Sequence, residues 1–395
     1  MKIIHLFFSL VIVGCTAVAW FVLGTVLSKR TEVASAEMSE AVAGVWGPAL
    51  VQHHPTAWFD TPNAPNGRAV IQPSSSEVKV DLRSSPKLRG LIWHKTYDVA
   101  FAADYVFSNP TKIPQTIYIS FPLPDSTAGL NGFEYRFDDE SGSGKALAGD
   151  NKIMTRAIVL PALQSVTLHT GYKTRGADTW SYRFPNGSRI ANFRMNMETD
   201  FQDINFPVGT GSPSQRETTD KGWKLMWEYP DVLGAPSIGM DMPKLVNAGP
   251  VASRIAFFAP VSLLFFVVVL LLIAGLKELH LHPMHVFFVS AGFFAFHLLF
   301  AYLVDLLPLY PSFAIASVVS VLLVCGYLKA VGGNALLRIA FPAQVIYLVL
   351  FSLSFFFDGL TGITLTVCAV VTLALLMFLT AKVDWRKFDR KTSEV

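Results

Sequence analysis

The sequence predicts a membrane α-helical bundle of six spans, one plus five, with a large extracytoplasmic all-β, sandwich-like domain inserted after the first span. Three observations lead there. The 395 residues are 52% hydrophobic and only 15% charged, whereas soluble domains are about 25% charged. The charges are also crowded, because residues 29–253 hold 22 of the basic and 23 of the acidic side chains. Outside that region, stretches 3–28, 255–276, 286–304, 306–328, 339–357 and 359–381 contain no Asp, Glu, Lys or Arg. Each approaches or exceeds the ~20 apolar residues that cross a bilayer core. A water-facing helix of that length would carry a charged stripe. The net charge of +3 leaves no electrostatic footprint for nucleic acid.

The elements follow in order. Residues 1–28 form an N-terminal anchor. The run Ile12-Val13-Gly14-Cys15 has the form of a lipoprotein cleavage box, but the apolar stretch continues to Leu23, where a lipidated cysteine would be followed by a polar tether. An uncleaved helix is therefore expected, continued by an amphipathic stalk over 29–45. Residues 46–250 form the β-rich domain, 251–385 a five-helix block, and 386–395 a basic tail. With the N-terminus in the cytoplasm, Lys2, Lys277, Lys329, Arg338, Lys382, Arg386, Lys387, Arg390 and Lys391 all fall inside, as the bias of Lys and Arg toward cytoplasmic loops requires. Lys29 and Arg30 oppose that bias locally. The predicted location is the bacterial inner membrane, with both termini cytoplasmic and the inserted domain periplasmic. Cys15, Cys325 and Cys368 each lie in an apolar run, so the inserted domain has no disulfide framework.

Within 46–250 the apolar residues recur with period two. Tyr97, Val99, Phe101, Ala103, Tyr105 and Phe107 share one face, with Asp98 and Asp104 on the other. Val78-Val80-Leu82, Ile117-Ile119-Phe121, Val166-Leu168, Trp180-Tyr182-Phe184, Ala191-Phe193-Met195-Met197 and Trp223-Leu225-Trp227-Tyr229 repeat the pattern. This is the signature of half-buried strands, and the turn residues between them suit an antiparallel sandwich. Residues 205–221 read as a loop and 170–176 as a surface turn. A division into two subdomains near residue 175 and a single sheet domain are both compatible with the pattern.

Candidate chemistry is sparse. His280, His282 and His285, beside Glu278, have transition-metal ligand chemistry, although interfacial placement at the ends of two spans accounts for them too. His297, Asp305 and Gln344 are the intramembrane polar candidates. His297 is expected to bond a backbone carbonyl or Ser290. Asp305 and Asp358 lie at span ends without a partner charge, and few other polar groups are expected at depth. His53, His54, His94 and His169 are scattered and no Gly-x-Ser-x-Gly elbow is present. Asp138-Asp139-Glu140 reads as a solvated loop. Trp46, Trp58, Trp93 and Trp180 offer rings for glycan stacking, with core burial as the default.

Leu281-His282-Pro283-Met284, Phe296-His297-Leu298-Leu299, Phe313-Ala314-Ile315-Ala316-Ser317, Tyr327-Leu328-Lys329-Ala330-Val331 and Asp384-Trp385 resemble the CreD family of bacterial inner-membrane proteins. The resemblance covers about residues 275–386, and the rest by layout. The chain departs from the family pattern at His285-Val286, at His297 and around Asp305. The resemblance implies a role in cell-envelope integrity and stress response and supplies no catalytic residues. The expectation is a non-enzymatic protein without cofactors. Its partners would be the lipid bilayer and a periplasmic protein or glycan. The alternative is a transporter or flippase accessory built from the C-terminal helices.

Overall fold

The computed structural model describes residues 3–62, 64, 66–89, 92–124, 129–138, 147–149, 153–276, 281–357 and 359–381. The chain divides into two compact units, one of residues 1–36 with 246–395 and one of residues 37–245.

The first unit is helical. It contains most of α1 (Ile3–Trp46), then α2 (Ala248–Leu276), α3 (Pro283–Leu303) and α4 (Leu309–Gln344). A π-helical stretch over Val345–Leu350 leads into the short α5 (Phe351–Leu353), and α6 (Thr361–Thr380) closes the unit. Among the described residues, five helices are long and apolar enough to cross a membrane, one of them the 48-residue run Leu309–Phe356. A straight helix that long would extend about 72 Å, more than twice a bilayer core. The run is not straight. Gly333 adopts φ 65° and ψ −157°, a conformation essentially confined to glycine. Beyond it the Gln344 amide donates to Ser320 Oγ at 3.2 Å, although 24 residues of helix would separate them by about 36 Å. The run therefore folds back on itself at Gly333.

Because no atom lies within 4 Å of a β-carbon built on Gly333, a side chain there meets backbone strain alone. Gly333→Ala is expected to cost about 1–3 kcal/mol. Gly326 is helical and equally uncrowded, so Gly326→Ala should be neutral or stabilising by up to about 1 kcal/mol. Thermal unfolding of the two variants in nanodiscs checks the opposite signs.

Small residues bring the helices of this unit together. The Ser253 hydroxyl donates to the Gly24 carbonyl at 3.0 Å, and Ser320 to that of Gly292 at 2.9 Å. Aromatic rings fill the remainder, with Phe266 and Phe293 at 4.8 Å and Phe313 and Phe356 at 5.0 Å between centroids.

The second unit is β-rich. Its strands are β1 (Leu50–His53), β2 (Thr56–Asp60), β3 (Arg68–Ile71), β4 (Ser75–Ser84), β5 (Lys87–Arg89), β6 (Ile92–His94), β7 (Thr96–Ser108) and β8 (Gln115–Pro122). They continue as β9 (Asn131–Phe137), β10 (Leu147–Gly149), β11 (Ile153–Leu160), β12 (Ser165–Ala177), β13 (Thr179–Arg183), β14 (Arg189–Thr199), β15 (Gln215–Thr218), β16 (Trp223–Leu233) and β17 (Ile238–Asp241). Among the described residues they form a seven-stranded sheet β15-β16-β14-β4-β7-β12-β9, a five-stranded sheet β10-β11-β8-β2-β3, a three-stranded sheet β1-β13-β17 and the hairpin β5-β6. One apolar core serves the larger sheets, from Val78, Phe101 and Tyr105 to Ile117, Trp180, Met195 and Trp227. Burying each such side chain contributes about 1.5–3 kcal/mol.

Four sequence expectations need correction. The pairing is not wholly antiparallel, because β4 runs parallel to β14 and β1 to β13. The alternation through β14 breaks at Asn192, whose φ is 46°. The ladder to β16 keeps its register across this point, with Ala191 opposite Asp231 and Phe193 opposite Tyr229, so the left-handed residue reverses the facing of the strand and Ile190, not Ala191, joins the core. Residues 205–221 are not all loop, since β15 pairs with β16. Its four residues are all exposed, which is why no alternation marked them. Residues 170–176 are no turn but the middle of β12, paired residue for residue with β7. The same strand runs unbroken through position 175, so the unit is not divided there.

Candidate functional site

The outer face of the seven-stranded sheet carries the most developed surface feature. Strand register sets its side chains in rows. One row crosses Asn196, Lys79, Ala102, Gly171 and Glu134, and the next crosses Glu198, Asp81, Ala100, Lys173 and Asn131. Successive residues of a strand point to opposite faces, so the alternation that buries Phe101 and Tyr172 turns their neighbours outward. Those outward neighbours on β7 and β12 include Ala100, Ala102 and Gly171, which are small. The result is a trough along β7 and β12, with a cavity volume of about 880 Å³. Lys79 and Asp81 stand on one wall, and Glu134, Lys173 and Asn131 on the other. That size lies within the span usual for small-molecule sites, about 300–1,000 Å³.

A third row borders the trough. It crosses Glu228, Arg194, Glu77, Asp104, His169 and Arg136. His169 is its centre. Its Nδ1 lies 2.6 Å from an Asp104 carboxylate oxygen and its Nε2 2.6 Å from one of Asp138. Only the imidazolium donates from both nitrogens at once. Partial burial disfavours that charge, but the two hydrogen-bonded carboxylates outweigh it and raise the pKa of His169 above its usual value. The same bond from His169 holds the Asp138 carboxyl below its usual range. Asp138 is thus no idle loop carboxylate. Asp139 and Glu140 lie outside the described residues.

The sign of the pH dependence follows. A raised histidine pKa contributes stability below the unfolded value of about 6.5 that is lost as pH rises through the folded value. A lowered aspartate pKa contributes stability that is lost as pH falls through the folded value. His169→Asn should therefore destabilise the protein at mildly acidic pH, and the gap from wild type should close as the solution turns alkaline. Unfolding midpoints collected from about pH 5 to 9 test this, and a pH-independent gap contradicts it.

Inside the domain, the other histidines take structural places. His54 is buried, and burial pushes its pKa down to about 3, so the ring is neutral. Its Nδ1 lies 2.7 Å from the Tyr182 hydroxyl, which in turn lies 2.8 Å from that of Tyr105. The Tyr172 hydroxyl donates to Gln52 Oε1 at 2.8 Å. His94 is buried, and His53 is exposed. Of the tryptophans, Trp180 is fully buried and Trp93 is 43% exposed. Trp58 stacks on Tyr118 at 5.6 Å, and Trp46 lies beneath the cations of Lys87 and Arg175.

In the helical unit, the two described histidines of the candidate metal set, His282 and His285, make separate contacts. His282 caps α3, where its Nδ1 accepts from the Met284 backbone N–H at 3.2 Å, and Pro283 opens the helix. His285 instead bonds the Tyr327 hydroxyl at 2.7 Å. His280, Asp358, Asp384, Trp385 and the basic tail from Lys382 onward lie outside the described residues. His297 is buried, and its Nδ1–H donates to the Phe293 carbonyl at 2.8 Å, the backbone partner anticipated for it. Its ring meets Trp20 at 5.2 Å and Phe296 at 4.8 Å. Two expectations fail here. Asp305 does have a partner charge, since it accepts from the Arg30 guanidinium. Polar groups are also not scarce inside the helices, for Ser262, Ser290, Ser312, Ser317, Ser320, Gln344, Ser352 and Thr372 are all buried. Single serines and threonines in apolar runs leave no trace in a hydropathy profile, which is why they escaped notice. Gln344 Oε1, His297 Nε2 and Trp20 Nε1 have no hydrogen-bond partner among the described residues.

No protein-family model matches the chain, and no curated protein does. Among solved structures, it is similar to a Legionella pneumophila protein provisionally described as nutrient binding. The two share 12% identity over 55% of this chain and 76% of the other, with a TM-score of 0.31. A likeness at that level transfers neither activity nor ligand.

Proposed function

We propose that the protein is a six-span bacterial inner-membrane protein that holds its β-rich unit in the periplasm, where the trough on the seven-stranded sheet binds a component of the cell envelope. It acts by binding, without catalysis, and supports envelope integrity under stress. The observation that carries this reading is the trough itself, a cavity with charged side chains on its walls, on the β-rich unit of a chain whose other unit is largely apolar helix. The fold-back at Gly333 supports six crossings, since it divides Leu309–Phe356 into two lengths that each suit a bilayer. Lys329 and Arg338 flank that bend, as the charge bias expects of a cytoplasmic turn. The pairing of Arg30 with Asp305 removes most of the local conflict in orientation, because a neutralised arginine no longer holds the first span inward. The CreD-like residues of the last third, among them His282, Pro283, Met284 and Phe296, support the same setting.

Filling the trough tests the reading. Cells that carry only an Ala102→Trp variant, present in the membrane at normal level, should show the detergent, bile-salt and β-lactam sensitivity of a deletion strain. Wild-type resistance in either strain overturns it. Reporter fusions after residues 245 and 333 should report periplasm and cytoplasm respectively.

A transporter or flippase accessory is the second reading, favoured by the buried polar chain from Gln344 through Ser320 to the Gly292 carbonyl. If it holds, Gln344→Leu and His297→Ala variants that remain folded will lose function while Ala102→Trp retains it.

A further inference from the structure

The two walls of the trough differ in how their charges are committed. On the β4 wall each charge already has a partner along its own strand. Lys79 lies 3.8 Å from Glu77, and Asp81 accepts from Arg83 at 2.8 Å. Glu198, beyond that wall, lies 3.5 Å from Lys224. On the facing wall, Lys173 and Glu134 line the trough and enter no ion pair among the described residues. They are near-diagonal neighbours, because Gly171 faces Glu134 while Lys173 faces Asn131, with one extra residue in β9 between the two pairs. Diagonal cross-strand positions lie about 7–8 Å apart. One wall thus presents an ammonium and a carboxylate that form no ion pair with each other or with another group among the described residues, above a floor without side-chain bulk.

From this we infer that the trough takes a zwitterionic, peptide-like ligand, with its carboxylate on Lys173 and its ammonium on Glu134. The inference rests on the reading of the trough as a binding site. Chemistry separates this ligand class from the other candidates. A sugar ring gains much of its affinity by stacking on an aromatic face, and the floor offers none, since Phe101 and Tyr172 turn to the core and are 2% and 3% exposed. A phosphate-rich polyanion would meet Asp81 and Glu134 as well as the lysines. A zwitterion satisfies both poles at once, and Asn131 beside Lys173 adds a donor and an acceptor for the amide between them.

The test is isothermal titration calorimetry of the full-length protein in nanodiscs, with tri-alanine as probe. N-acetylated tri-alanine, C-amidated tri-alanine and tri-N-acetylchitotriose are the comparators. Tri-alanine should bind saturably, and capping either end should weaken binding about fivefold to tenfold, the loss expected for one charge-assisted contact. Glu134→Gln should weaken tri-alanine to the same degree and leave the N-acetylated peptide unaffected. Lys173→Gln should do likewise for the amidated one. Two changes that delete the same contact do not add, and this pairing assigns each pole to its residue. Both residues are at the surface, so the variants keep the fold. Equal affinity for capped and uncapped peptide overturns the inference, as does additivity within either pair. Binding of chitotriose alone overturns the ligand class and leaves the trough a binding site. No heat from any probe also overturns the class, and the Ala102→Trp phenotype then decides separately whether the trough is used.

Discussion

Trp227→Ala is expected to lower the stability of the β-rich unit by about 3–5 kcal/mol, the usual cost of truncating a buried aromatic to alanine. Trp227 is fully buried and lies opposite Met195 in the β14–β16 ladder. Its ring meets Phe206 edge-on at 6.3 Å, and its indole N–H donates to the Gly211 carbonyl at 2.8 Å. The substitution therefore leaves both a cavity and an orphaned carbonyl. Against a typical total of about 5–15 kcal/mol, the loss is a large fraction of what holds a domain together. At about 2–4 °C per kcal/mol for a unit of this size, the thermal midpoint should fall by roughly 6–20 °C. Trp93 makes the control. It is 43% exposed, and Trp93→Ala should shift stability by no more than about 0.5 kcal/mol, the norm for surface changes. Equal midpoints for the two variants would remove Trp227 from the core.

Gly222→Ala should cost as much for a different reason. A β-carbon at position 222 would stand 2.0 Å from the Thr199 carbonyl oxygen and 2.9 Å from the Phe201 backbone nitrogen. Both obstacles are main chain, so no side chain can swing away. The strand end at Thr199 and the start of β16 must separate instead. That would break the bonds between them, including the one from the Trp223 N–H to Thr199 Oγ1 at 3.0 Å. Overpacking where side chains can adjust costs about 1–3 kcal/mol, and this site should exceed that range. Chemical denaturation of the full chain, followed by tryptophan fluorescence, measures it. A loss below about 1 kcal/mol would show that the two segments have more room than this geometry allows.

Strands β4, β7, β8, β12, β13, β14 and β16 were legible, because period two in runs such as Tyr97 to Phe107 reports directly on a core. Short strands such as β1, β2 and β17 carry too few residues to show a period, and β9 and β11 are only partly buried; elsewhere legibility failed for a local reason. β15 is exposed on both faces and has no period to read. Asn192 takes a left-handed backbone, φ 46°, and reverses the facing of β14 without changing its register. Gly171 and Gly176 read as turn residues, yet both lie inside a strand that needs their lack of bulk, since a β-carbon on Gly171 would stand 3.2 Å from the Phe101 carbonyl oxygen. The candidate site was less legible still. His169 and Asp138 were both visible as polar residues, but nothing in their separation of 31 positions suggests that they meet. Lys173 falls in the stretch 170–176 that reads as a turn, and nothing in the sequence marks Glu134.

Composition and hydropathy settled by themselves that this chain has two solvents. Charge-free stretches demand lipid or protein around them, and a charged, alternating middle demands water on one face. That is a one-dimensional property, because transfer free energy accrues residue by residue. What only the tertiary structure decided is which residues become neighbours. The pairing of Arg30 with Asp305, the fold-back that carries Gln344 to Ser320, and the trough between two walls of charge all depend on strand register and helix packing. Register is a cooperative outcome in which a shift of one residue exchanges the faces of a strand. No local window of sequence records it, and in this protein register is what places Lys173 and Glu134 on the same wall.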